Sequence, residues 1–386
     1  MVAATSPQTV LVLGGGIGGV VTANRLRRRL DRRHRVVLVD REEDFTFAAS
    51  YLWVMTGKRT PAQVTRPLRR LGRRGIDVRI GAVEGIDPQA RTVVVDGQEL
   101  TGEHLVVSLG AQQVPETVGG LTEHGHTFAT LAGAQRLGAE LDRIESGRVL
   151  IVTASPIYRC PAAPYEAAFL IDALLRRRGV RDRVEVVVHA AEPAPMGVAG
   201  PQVSGAVTQM LTARGIAYRP GHQITGVDHG LARFADGQDV PFDVLAYMPP
   251  IAPPSVVSDS ALAGPSRWIE ADRHTLRTGH ENVYAIGDNV QITLGIGKPL
   301  PRAGVFAHAQ GQVVADTIAA SVHGRPAPAG FDGHGGCFIE TGEGRAGYGS
   351  GDFYADPAPR IGLRPPGRAF HLGKVVFEQD VLRRWL

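Results

Sequence analysis

Cysteine is nearly missing: Cys160 and Cys337 are the only two in 386 residues. That scarcity excludes a disulfide-stapled scaffold and any Cys-rich zinc module. Lysine is almost as rare, with Lys58, Lys298 and Lys374 the whole supply, so the basic charge is carried by arginine. No uncharged apolar run reaches the roughly 18 residues that a membrane-spanning helix needs. Met1 to Gln8 has no basic segment ahead of an apolar core, so no signal peptide is read and the chain is expected to stay in the cytoplasm. Nucleophile-elbow, HExxH and complete P-loop patterns are all missing, which removes the common hydrolase and phosphate-transfer signatures. The 13 histidines show no ligand spacing. His124 and His126 read as loop residues, and no metal is expected.

What is present suits a soluble chain of two or three domains: 43% hydrophobic and 21% charged residues. Net charge is +4. Arginines cluster at Arg25–Arg35 and Arg66–Arg74. An anionic partner would use such clusters, but no nucleic-acid module accompanies them, so they read as solvated helix faces.

The first forty residues read β-α-β. Val10-Leu11-Val12-Leu13 is a short apolar strand of the kind buried in a parallel sheet. Gly14, Gly16 and Gly19 then give G-x-G-x-x-G opening a helix, and Val36–Val39 is a second strand ending at Asp40. Each position has a physical reason. Gly14 permits a tight turn, Gly16 lets backbone approach a pyrophosphate, and Gly19 lets helix and strand pack closely. The helix N-terminus favours phosphate, and Asp40 is placed to accept from an adenosine ribose.

The pattern repeats. Thr9–Leu13 resembles Arg148–Val152, Arg74-Gly75-Ile76 recurs as Arg214-Gly215-Ile216, and Asp96–Leu100 recurs as Asp236–Val240, all at offsets of 139 or 140. The expected fold is α/β: two Rossmann-like dinucleotide-binding domains, the second degenerate, plus a C-terminal domain. The boundaries are read as 1–115 with 265–325, then 116–264, then 326–386. In the second half the three glycine places hold Thr153, Ser155 and Tyr158. Pro156 and Pro161 remove N–H donors there, so the second dinucleotide is expected to be lost.

At this point the residues resemble the two-dinucleotide-binding-domain flavoproteins of the disulfide reductase group. Gly14 to Asp40 is similar to that group's FAD adenosine site. Leu105–Gly110 resembles the strand that ends at a cofactor-side glycine, here Gly110. Tyr284-Ala285-Ile286-Gly287-Asp288 is similar to the motif whose aspartate holds the flavin ribityl chain, which assigns that role to Asp288. Within the group, Tyr158-Arg159-Cys160-Pro161-Ala162-Ala163-Pro164-Tyr165-Glu166 resembles sulfide:quinone oxidoreductases and the flavoprotein subunit of flavocytochrome c sulfide dehydrogenase. Cys337 falls where those families place a second redox cysteine. Ala129 stands where many members have a third cysteine, and no cysteine lies near Ser50, so the implied FAD is non-covalent.

The resemblance implies an enzyme in which sulfide is oxidised by a Cys160/Cys337 redox pair, with electrons passing through FAD to a quinone. Glu166 is either a proton carrier or a surface residue of a helix at Tyr165–Leu175. The alternatives are an NAD(P)H-dependent flavoprotein reductase, or a flavin-binding redox subunit whose sulfur chemistry has decayed. Trp53 and Trp268 read as packing residues rather than quinone clamps. Phe377, Val381, Leu382, Trp385 and Leu386 fall on one face of a terminal helix. That face is either a peripheral membrane anchor or a helix packed on the Gly-rich domain that closes the flavin pocket. A homodimer is an open possibility.

Overall fold

Two five-stranded parallel sheets carry the architecture of the computed structural model, which describes Ser6 to Leu386. Met1–Thr5, part of the segment read as lacking a signal peptide, lies outside the described residues.

The first sheet begins with β1 (Thr9–Leu13), whose apolar side chains are buried from Val10 to Leu13. Helix α1 (Ile17–Arg29) follows and closes on Arg27, Arg28 and Arg29, cations that favour the negative end of the helix dipole. Then come β2 (Arg35–Asp40), β3 (Asp77–Ile80) and, after an antiparallel meander over Val83–Thr101, β4 (His104–Val107). The meander turns at Asp96-Gly97, both at positive φ, as a two-residue hairpin of type I′ requires.

The second sheet starts with β5 (His126–Thr127), followed by α2 (Leu131–Arg143), β6 (Gly147–Thr153), α3 (Ala163–Arg178), β7 (Val184–Ala190), α4 (Pro201–Ala213) and β8 (Ala217–Arg219). A second antiparallel meander, β9 (Ile224–Asp228), β10 (Leu231–Phe234) and β11 (Asp239–Pro241), leads to β12 (Val244–Met248). The chain then returns to the first sheet with β13 (Val283–Ala285) and α5 (Gly304–Val322).

Strand order is β13-β4-β1-β2-β3 in one sheet and β5-β12-β6-β7-β8 in the other. Sequence repeats near 140 residues therefore mark equivalent strands: β1 with β6, and each post-meander strand beside it.

The Gly- and Pro-rich region after Gly324 folds into an antiparallel sheet of β14 (His334–Gly342), β15 (Arg345–Asp352) and β16 (Arg360–Gly367), followed by α6 (Arg368–Asp380) and a last turn at Val381–Trp385. Its glycines serve close packing, since a Cβ on Gly336 would sit 2.3 Å from the Tyr348 hydroxyl. Val381, Leu382 and Leu386 are buried in the same core as β1 and α1. Trp385 stacks on His308 of α5 at 4.8 Å, and its carbonyl accepts from Asn24 Nδ2. Most of the terminal apolar face is therefore packed inward, against the core of the first sheet rather than on the Gly-rich segment. Among the described residues, no helix is long and apolar enough to cross a membrane.

Candidate functional site

The turn after β1 treats its glycines differently. A Cβ on Gly14, at φ +102°, would lie 2.2 Å from the Ser108 carbonyl oxygen, and one on Gly19 would lie 1.8 Å from the Gly14 carbonyl oxygen. Both contacts are with backbone, so neither position tolerates a side chain. Gly16 has nothing within 4 Å of the Cβ place. It sits at the start of α1, leaving open the approach to the helix N-terminus. Asp40 closes the turn from the end of β2, its carboxylate accepting from the Gly15 N–H and, at 2.7 Å, from the Glu42 N–H. Burial raises its pKa, and the two N–H donors oppose that.

Two residues that sequence reasoning missed fix the turn after β13: Asn289 ties it to the end of β4, and Arg302 ties it to the Cys160 loop. Gly110 N–H donates to Asn289 Oδ1 at 3.1 Å, and Asn289 Nδ2 donates to the Val107 carbonyl. Arg302 Nε donates to the Asp288 carbonyl at 2.9 Å, and the Arg302 carbonyl accepts from the Cys160 N–H at 2.8 Å. Arg302 lies over the Trp268 ring at 3.8 Å, which makes Trp268 a packing residue. The Asp288 carboxylate accepts no hydrogen bond among the described residues. Burial raises its pKa while Arg159 and Arg302 hold it down. The residues present thus fit an extended dinucleotide: an open cradle at Gly16 and a polar acceptor left free at Asp288.

Cys160 stands three residues before α3 with φ +58°, a left-handed conformation uncommon for a side-chain-bearing residue. Glu166, one turn into α3, is buried rather than on the surface. It accepts from Lys374 Nζ and from the Glu340 N–H, each at 2.8 Å. Burial works against the Lys374 ammonium, but Glu166 and Glu340 outweigh it and the pKa is raised. Trp53 is fully buried with Lys374 and Arg59 over its ring, again a packing role.

The expected Cys160/Cys337 redox pair is not found. Both residues are free thiols, half-buried, with no disulfide between them. The Cys160 pKa is lowered, chiefly by hydrogen bonding with Cys337, and that of Cys337 is raised by the same contact and by burial. The two sulfurs do not lie at disulfide distance, so the sulfide-oxidising reading built on such a pair is corrected.

The turn after β6 carries a hydrogen-bonded side-chain cluster. Glu192, just beyond β7, is buried and accepts from Thr153 Oγ1 at 2.6 Å, from the Tyr165 hydroxyl at 2.6 Å and from the Tyr158 hydroxyl. Thr153 Oγ1 in turn accepts from the Ala191 N–H. Glu192 carried no sequence signal, because its partners come from 27 to 39 positions away.

Comparison with known proteins agrees with this geometry. The family model described as pyridine nucleotide-disulphide oxidoreductase matches residues 8–311. Mitochondrial sulfide:quinone oxidoreductase of Mus musculus is 23% identical over 364 residues, 90% of this chain and 79% of that protein. The demethylphylloquinone reductase NdbB of Synechocystis is 26% identical over 342 residues, 82% of this chain and 80% of that protein. The solved sulfide:quinone oxidoreductase of Aquifex aeolicus superposes with TM-score 0.88 at 23% identity, covering 98% of this chain and 91% of that one. Flavin binding in general terms goes with this group. The match across both sheets, together with the glycine turn and the Asp288 segment, shows that the chain belongs to the pyridine nucleotide-disulphide oxidoreductase family and is sulfide:quinone oxidoreductase-like within it.

Proposed function

We propose that the chain is an FAD-binding oxidoreductase that handles a small-molecule redox partner without an operating disulfide. The carrying observation is the empty place at Gly16 between two glycines that backbone contact makes obligatory. In this reading FAD lies along Gly14, Gly16 and Gly19, reaches Asp40, passes Gly110 and ends its ribityl chain at Asp288. Flavin supplies two-electron acceptance when bound. The rest is done by the chain's own groups. Arg302 holds the Asp288 segment against the Cys160 loop. Glu166, with Lys374 on one oxygen, keeps a carboxylate where a proton can be held or passed. Cys160 and Cys337 enter as reduced thiols beside it. Domain boundaries at 1–115 with 265–325, 116–264 and 326–386 suit this arrangement.

The second sheet is read as degenerate toward nucleotide, because Glu192 is saturated by hydroxyls from Thr153, Tyr158 and Tyr165. An electron donor other than NAD(P)H follows. A quinone is the acceptor class to test first, since the mouse and Synechocystis relatives both carry a quinone in their names. An NAD(P)H-dependent reductase is the second reading, supported by the likeness to a solved NAD-dependent persulfide reductase of A. fulgidus (TM-score 0.71, 21% identity, 89% of this chain and 64% of that one).

Two measurements test the proposal. Acid precipitation of the purified yellow protein should leave all FAD in the supernatant, and flavin held in the pellet would contradict non-covalent binding. Anaerobic NADH should bleach the flavin only slowly. Rapid stoichiometric bleaching would replace the first reading with the second.

A further inference from the structure

We propose that His124, His229 and Asp228 form a binding site for one divalent transition-metal ion of the zinc class. The ligand atoms of the three side chains all lie within 4.8 Å of one another. The two imidazole rings meet edge to face, with centroids 4.9 Å apart. Two imidazole nitrogens and one carboxylate oxygen suit zinc, cobalt or nickel, whereas magnesium and calcium favour all-oxygen sites. With three protein ligands, the remaining coordination position falls to water.

The sequence conceals this site, because His124 and His229 are 105 positions apart. The fold brings them together through backbone contacts between two segments. His124 ends the short helix Leu121–His124, and its N–H donates to the Gly120 carbonyl. Asp228 closes β9, and His229 follows it in the turn before β10. The two segments are laced together: Val227 N–H donates to the Gly119 carbonyl at 2.8 Å, and Gly119 bridges Gly226 in parallel. A Cβ on Gly120 would lie 2.0 Å from the Val227 carbonyl oxygen, so glycine is what allows this approach. The spacing of the ligands is therefore set before a metal arrives.

Asp228 is already engaged. Its Oδ1 accepts from the His229 N–H at 2.9 Å and its Oδ2 pairs with Arg233 at 3.0 Å. The Arg233 side chain is 53% exposed and that of Asp228 51%. An ion pair so open to water is weak, and a metal displaces it at little cost. The His229 side chain is 91% exposed and His124 partly so, which leaves an open path for an ion. None of the three residues takes part in the flavin-side arrangement. A bound ion would pin the segment entering the second sheet to the tip of its meander.

Calorimetric titration of the full-length, flavin-loaded protein with zinc chloride tests the site. One saturable zinc per chain is expected, weakened at least ~10-fold by His124→Gln or His229→Gln. Flavin content should stay unchanged in both variants. Zinc should raise the melting temperature of the parent and not of the double variant, since binding to the native state alone stabilises it. The proposal is overturned if the parent shows no saturable zinc binding, if the double variant binds zinc as tightly as the parent, or if magnesium binds as well as zinc.

Discussion

Gly16 and Gly19 share a motif but answer to different demands, and substitution should separate them. Gly19→Ala drives a methyl into the Gly14 carbonyl. Overpacking against backbone costs about 1–3 kcal/mol or more, so a lower melting temperature or insoluble protein is expected. Gly16→Ala meets no atom of the protein. It should fold and melt like the flavin-free parent yet purify with little flavin, read from the visible-to-280 nm absorbance ratio. A Gly16→Ala protein with full flavin would remove the pyrophosphate from that place. The motif glycines and Asp40 were legible because they keep fixed offsets within one β-α-β unit, and Asp288 because its own segment, Tyr284–Asp288, resembles a family motif. Asn289, Arg302 and Glu192 were not, since each acquires its part only from partners brought in from distant strands. The cysteines were legible as residues, but not the placement of their sulfurs in the fold.

At the scale of elements, α6 is tied down by charge as well as by apolar packing. Glu378 has a fully buried side chain that accepts from Ser50 Oγ at 2.6 Å and from Arg59 Nε and Nη2 at 2.9 and 2.8 Å. The pair is asymmetric, because Arg59 keeps 22% of its side chain in water and Glu378 none. Arg59→Met strands a buried carboxylate and should cost about 3 kcal/mol. Glu378→Gln leaves an arginine that can rehydrate and should cost less. Urea denaturation of both variants checks the order, and equal losses would contradict it. Truncation after Lys374 removes Val381, Leu382 and Leu386 from the first core, so a lower melting temperature and loss of flavin are expected. The sequence left this tail and Glu166 open between two roles. Periodicity identifies an apolar face but not its partner, and α3 is buried on nearly every side, so it has no clean stripe to read.

Over the whole molecule, acid stability should depend on two histidines, one in each sheet. Burial lowers His104 of β4 to about 4 and His189 of β7 to about 4, from an ordinary 6.5. Both stay neutral in the folded chain at a pH where the unfolded chain has protonated them. The unfolded state therefore binds more protons between about 6.5 and about 4. Their contribution is complete above 6.5 and is lost as pH falls through that window. His189 Nδ1 lies 2.8 Å from His222 Nδ1, and its neighbour Arg219 further opposes protonation. Melting temperatures across this range should fall with acidity, and less steeply for His189→Gln. An unchanged slope would assign the effect elsewhere. The duplicated sheet was legible from the repeat near 140 residues, because equivalent strands keep both their apolar runs and their meander turns. The sheet after Gly324 was not, because glycine-rich strands lack the β-branched alternation by which strands are recognised.

The crossing of β13 into the first sheet also sets an order of assembly during synthesis. A ribosome delivers every strand of the second sheet by Met248, whereas the first sheet lacks an edge until Val283–Ala285 emerges, and Asp288 follows only then. The half that is made first is therefore finished last, and its long-range closure is the slow kind of contact to form. Cofactor loading becomes a late event. Stalled nascent chains ending before Val283 should carry no flavin, while those extending beyond α5 should begin to acquire it.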